Sequence, residues 1–168
     1  MGDILKKFFF YTFLLLAVCL FFLFSCARTD SLFDVVASVT AEDTALSAGK
    51  ILCYGKHYEN AVTAATLSEY LGLGGYPEFK DNIEDLAVYS TLRGEYAELA
   101  IMRLYRASDA ADGALFFERR IKETTRALNL SRRQGYADTA YVRVYGNIVA
   151  LYMLPDNAAA EKKVKAML

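Results

Sequence analysis

The chain has 168 residues, a net charge of −1, 55% hydrophobic residues, three cysteines, one histidine and no tryptophan. That balance excludes a basic nucleic-acid-binding protein, the apolar content excludes intrinsic disorder, and the cysteine supply excludes a disulfide-stapled scaffold. Charge is unevenly placed: residues 30–98 hold twelve carboxylates against four basic residues, whereas residues 119–143 hold seven basic residues against two acids.

At the amino terminus Lys6 and Lys7 precede an apolar run, Phe8 to Phe24, with neither charge nor proline. Its 17 residues exceed the roughly 7–15 of a secretory h-region and fall short of the roughly 20 that span a bilayer. Leu23-Phe24-Ser25-Cys26 closes the run and resembles the lipobox of bacterial lipoproteins. Leu23, Ser25 and Cys26 fit that pattern, while Phe24 stands where a small or β-branched residue is more usual. The resemblance implies a signal peptide over 1–25, a tether over 26–30 lipidated on Cys26, and a single exported domain over 31–168. Two or three acyl chains, at about 0.8 kcal/mol per buried methylene, then give lasting attachment to the membrane. An uncleaved anchor helix with Lys6 and Lys7 inside, and ordinary cleavage after Ala27, are the alternatives. All three readings place residues 28–168 outside the cytoplasmic membrane. Cys19 leaves with the signal and Cys26 takes lipid, so Cys53 stands alone without an internal disulfide.

The spacing of Leu32, Val35, Val36 and Val39 predicts a short helix, Glu42 to Lys50 a loop, and Ile51 to Tyr54 a short strand closed by Gly55. Thr63 to Leu71 reads as a second helix, with Thr66 and Glu69 at capping-box spacing and Gly72 as its stop. From residue 83 the pattern sharpens. Leu86, Val88 and Ser90 alternate with Ala87, Tyr89 and Thr91, Arg93-Gly94-Glu95 turns the chain, and Ala97 to Tyr105 returns as a strand. Ser108 or Asp109 caps a long helix whose buried stripe is Ala110, Ala114, Phe117, Ile121 and Leu128. Val142 and Val144 alternate with Tyr141, Arg143 and Tyr145 in a third strand of this region. Gly146-Asn147 makes a hairpin turn, Ile148 to Leu154 is the fourth strand, and Asp156 or Asn157 caps a final helix beyond Pro155. The expected architecture is α+β: a four-stranded antiparallel sheet of ββα-ββα order, both long helices on one face, preceded by the short helix/strand segment.

Residues 83–168 resemble the domain of unknown function 4358, found behind lipobox signals in Gram-positive bacteria. The stretches that carry the resemblance are Leu86 to Ser90, Ala97 to Ile101, Phe116 to Ile121, Val144 to Leu151 and the helix after Asp156. It implies an exported, lipid-anchored protein and brings no catalytic residue.

The chemistry on offer is sparse. His57 is the only histidine, and Cys53 four residues before it makes a thiol–imidazole pair conceivable, although a small buried cysteine is the commoner use of such a strand position. No His/Cys/carboxylate cluster of zinc spacing is present, and Gly72-Leu73-Gly74-Gly75 lacks the spacing of a phosphate loop; neither a metal nor another cofactor is expected. Tyr141, Arg143 and Tyr145, with Tyr89, share one sheet face that could grip a sugar or peptide, although tyrosine is also common on half-buried strands for packing alone. The basic residues Arg119, Arg120, Lys122, Arg126, Arg132, Arg133 and Arg143 meet anionic headgroups, wall polymer or an acidic envelope protein, or, as the more usual outcome, the acidic half of the same domain. The expectation is a membrane-anchored, non-enzymatic binding domain. An envelope hydrolase using Cys53 and His57, and a structural subunit of an envelope complex, are the alternatives.

Overall fold

The computed structural model describes residues 31–41, 43–46 and 48–168. The lipobox residues Leu23, Phe24, Ser25 and Cys26 lie outside the described residues. Helix α1 (Leu32–Ala41) buries Leu32, Val35, Val36 and Val39, the stripe its spacing predicts. Strand β1 (Gly49–Gly55) and helix α2 (Ala64–Leu71) follow. The N-cap of α2 is Thr63, whose hydroxyl accepts the Thr66 backbone N–H at 3.2 Å, so the cap lies three residues before the Thr66–Glu69 box. Gly72 ends the helix at φ +64, a left-handed conformation that glycine adopts without a Cβ penalty. Strands β2 (Ile83–Thr91) and β3 (Glu98–Leu104), helix α3 (Ala110–Ser131), strands β4 (Tyr141–Tyr145) and β5 (Ile148–Met153), and helix α4 (Asn157–Met167) complete the chain.

The fold is α+β, with one antiparallel sheet of five strands in the order β1-β2-β3-β5-β4. The fifth member is β1, which pairs with β2 from Gly49↔Thr91 to Gly55↔Asp85. The four strands from residue 83 onward are therefore the larger part of a sheet to which the preceding segment contributes an edge.

The expectation of both long helices on one face is corrected. Helices α2 and α3 cover Leu86, Val88, Ala100, Met102, Val149 and Leu151, whereas α1 and α4 cover Ala87, Tyr89, Leu99, Ile101, Ala150 and Tyr152. The cause is composition. Both alternating sets of β2, β3 and β5 are apolar, and every residue of β5 is buried. A sheet apolar on both faces needs a helical layer on each. On the first face Gly113 lets α3 come close: a Cβ there would meet Met102 Cε at 2.8 Å and Val149 Cγ2 at 3.3 Å.

Candidate functional site

The structure gathers polar side chains in three clusters and one exposed row. The first cluster joins β3 to α3. Glu98 is the one acid in an otherwise apolar strand half and is fully buried. Its Oε1 accepts the Tyr70 hydroxyl at 2.6 Å and Arg120 Nε at 3.3 Å, and its Oε2 accepts Arg120 Nη2 at 2.9 Å and the Tyr96 hydroxyl. The guanidinium of Arg120 also lies 4.8 Å from the centre of the Tyr70 ring. Burial pulls the Arg120 pKa down, but Glu98 and its hydrogen bonds outweigh that and hold it above its ordinary value. Burial, then Glu98, drives the Tyr70 and Tyr96 hydroxyls up. A carboxylate with four donors is closed: it holds three elements together and has no lone pair left for a substrate.

The second cluster contains three of the four residues expected on a binding face. Tyr141, Arg143 and Tyr145 project from β4 towards α4 and converge on Glu161: the Tyr141 hydroxyl donates to Oε2 at 2.8 Å, and Arg143 Nε and the Tyr145 hydroxyl donate to Oε1, each at 3.1 Å. The hydrogen bond from Tyr141 lowers the Glu161 pKa, burial opposes it, and Tyr145 and Arg143 add to the lowering. Tyr89 is not with them. It lies three strands away, 3% exposed, and its hydroxyl donates to the Leu46 carbonyl. The face that would have presented these tyrosines is covered by α1 and α4, so most of their hydroxyls are spent inside the domain.

The third cluster holds Cys53. The thiol is buried on the α1/α4 side of the sheet, and burial, then the Asp85 carboxylate, raises its pKa to about 11. His57 lies exposed in the turn after β1. A nucleophilic cysteine needs the opposite setting, a cationic neighbour that favours the thiolate. Beside the thiol, Arg103 Nη1 reaches Asp85 Oδ2 at 3.4 Å, while Asp85 Oδ1, Arg103 Nη2 and the Tyr58 hydroxyl are buried without partners. Burial raises the Asp85 pKa, Arg103 opposes it, and burial lifts that of Tyr58 to about 12. Among the described residues no group of three or more His, Cys, Asp or Glu is placed to hold a metal ion.

The exposed row runs along α3. Of the seven basic residues, Arg120 pairs with Glu98 and Arg143 with Glu161. Arg119 lies over the Phe116 ring at 5.6 Å. Among the described residues Lys122, Arg126, Arg132 and Arg133 are exposed and have no ion-pair partner. Glu118 and Glu123, exposed on the same helix, are the nearest acids in sequence to Lys122 and Arg126. Leu115 and Leu130, 58% and 77% exposed, stand on either side of Lys122 and Arg126, with Arg132 and Arg133 beyond Leu130. Sequence reading had the cations but not these leucines; the signal was that both fall off the stripe of Ala110, Phe117 and Leu128. Beside Leu115, a groove of about 330 Å³ opens between α3 and the 76–82 segment, lined by Tyr76, Phe79 and Phe116 together with Arg119 and the carboxylates Glu78 and Asp112.

No family model, curated protein or solved structure matches the chain. Among the described residues, no helix is long and apolar enough to cross a membrane.

Proposed function

We propose that the chain is a membrane-anchored surface lipoprotein whose domain binds a partner rather than turning over a substrate. The observation that carries the binding role is the run of exposed cations Lys122, Arg126, Arg132 and Arg133 along and just after α3, none of them in an ion pair among the described residues. Exposed cations in excess of nearby acids attract an anionic partner. The anchor is supported by Leu23-Phe24-Ser25-Cys26 behind an apolar run, and membership of residues 83–168 in the family of the domain of unknown function 4358 belongs to the same reading. It sets the domain on the outer side of the cytoplasmic membrane, held by lipid on Cys26. The hydrolase alternative loses support from the raised pKa of the Cys53 thiol.

Metabolic labelling with an alkyne palmitate analogue tests the anchor. Wild-type chain should take the label and sediment with membranes, and Cys26→Ser should do neither. Label retained by Cys26→Ser would remove the lipobox reading. Cys53→Ser should leave any phenotype of the intact gene unchanged, and its loss would restore the hydrolase.

A further inference from the structure

The sheet has an outer edge at β1 and another at β4, and the chain treats them differently. On β1 the Cys53 carbonyl accepts the Val62 N–H at 2.7 Å, so the chain that follows β1 folds back over that edge. The edge of β4 is open. Gly146-Asn147 closes its hairpin with Tyr145 opposite Ile148, and the Asn147 carbonyl accepts the Leu104 N–H at 2.9 Å. Backbone polar groups point to alternate sides along a strand. Ile148 and Ala150 therefore turn theirs to β4, and Tyr141, Arg143 and Tyr145 turn theirs to β5. Val142 and Val144 are left with N–H and C=O groups directed outward, and among the described residues no hydrogen-bond partner meets them.

Edges are usually guarded by an outward charge, a proline or a bulge. This edge has none of them. Its register with β5 is unbroken, and its single charge, Arg143, is turned to Glu161 and lies over the Tyr141 ring. Val142 and Val144 project to the other face, beside α3, where Val144 is 48% exposed. Any extended peptide could pair with such an edge, but the sequence selects one. Tyr141-Val142-Arg143-Val144-Tyr145 reads the same in both directions. An antiparallel copy centred on Arg143 therefore sets Val142 opposite the partner's Val144 and Tyr141 opposite the partner's Tyr145. Both valine pairs exchange their outward N–H and C=O groups, and their side chains form one apolar strip. The two Arg143 side chains come together at the axis, each held by the Glu161 of its own copy. Helix α3 lies over β4 and β5. With strands about 4.8 Å apart, the two copies of α3 stand about 10 Å from one another, a normal packing distance, so the helix does not block the approach. The shoulder of α3 on this side holds Ala114, Glu118, Ile121 and Thr125, with Lys122 a turn beyond Glu118, so its charge is balanced. Because β4 is the open edge of each copy, a two-fold pairing consumes both and closes as a dimer instead of growing into a filament.

We propose that β4 pairs antiparallel with β4 of a second copy of this chain, centred on Arg143, joining two five-stranded sheets into one. The test is disulfide cross-linking of the full chain in intact producing cells, with Cys53→Ser throughout. In this register the two Arg143 Cα atoms lie about 4.5 Å apart, within disulfide reach, and the two Val144 Cα atoms about 8 Å apart, beyond it. Arg143→Cys should therefore give a linked dimer at least tenfold above Cys53→Ser alone, and Val144→Cys by itself should not. Val142→Cys and Val144→Cys expressed together should link to one another. Val144→Lys, at a half-exposed position, should abolish the dimer formed by Arg143→Cys while leaving the thermal midpoint of the chain unchanged. Equal cross-linking by Arg143→Cys and Val144→Cys would overturn the proposal in favour of chance collision. Absence of any dimer would overturn it in favour of a monomer, and a product linked to a different protein in favour of a strand supplied from elsewhere. Cys26 is present in every variant, so the background includes it whether or not it carries lipid.

Discussion

Helix α3 carries two populations of cation one helical step apart, and they have opposite fates. Arg120, on the inner shoulder, is half-buried and bound by the buried Glu98 and by Tyr70 and Tyr96. Arg119, Lys122 and Arg126 stand on the crest, exposed and without an ion pair among the described residues. The difference is one of surroundings, not of residue type. A buried charge must be matched donor for acceptor or it costs several kcal/mol, whereas an exposed one contributes little to folding and is free to meet another molecule. Stability and recognition are thus divided between two sides of one helix.

The largest test of this division is Glu98→Ala. It removes the shared acceptor of half-buried Arg120 and two tyrosine hydroxyls, and chemical denaturation should show a loss of about 3 kcal/mol. Gly113→Ala, on the same inner face, forces a methyl group against Met102 and Val149 and should cost about 1–3 kcal/mol. Asp156→Ala removes the carboxylate that accepts the Ala159 N–H at 2.9 Å at the start of α4, a loss of about 1 kcal/mol. A smaller effect comes from Glu161. Its folded pKa lies below the ordinary carboxylate value, so its stabilisation is present in full above that value and is lost as pH falls through the lowered one. In urea titrations Glu161→Gln should lower stability modestly at neutral pH, and the difference from wild type should vanish as pH falls through the lowered pKa, which flattens the acid limb. Smallest of all, Lys122→Ala and Arg126→Ala should each shift stability by no more than about 0.5 kcal/mol. A large loss from either would break the comparison, because it would make the crest part of the fold.

Much of this architecture was legible in the sequence, and the failures share one cause. The helix over 32–41 and the hairpin at Gly146-Asn147 follow from local periodicity and turn chemistry, and both are present, with Gly146 at φ +62. The number of layers was misread because the strands were taken as one-sided. The run Leu99-Ala100-Ile101-Met102 and the run Ile148-Val149-Ala150-Leu151 are apolar at consecutive positions, which is the mark of burial on both faces. Reading them so would have placed α4 across the sheet from α3 and put Tyr89 beneath α1. The partners of Glu98 come from residues 70, 96 and 120, and periodicity carries no information on which distant side chains meet. What the sequence did hold was the need: a lone acid in an apolar strand requires donors from somewhere. The α3 crest was half visible, since its cations were evident by composition while its leucines stood out only once the buried stripe was known.

The proposed function rests on lipid attached to Cys26 as the link between the domain and the membrane. Intact mass spectrometry of the protein extracted from producing-cell membranes tests its first link directly. The account predicts a mass equal to residues 26–168 plus diacylglycerol, with or without one further acyl chain. A mass retaining Met1 would contradict it, making Phe8 to Phe24 an uncleaved anchor and leaving Cys26 a free thiol.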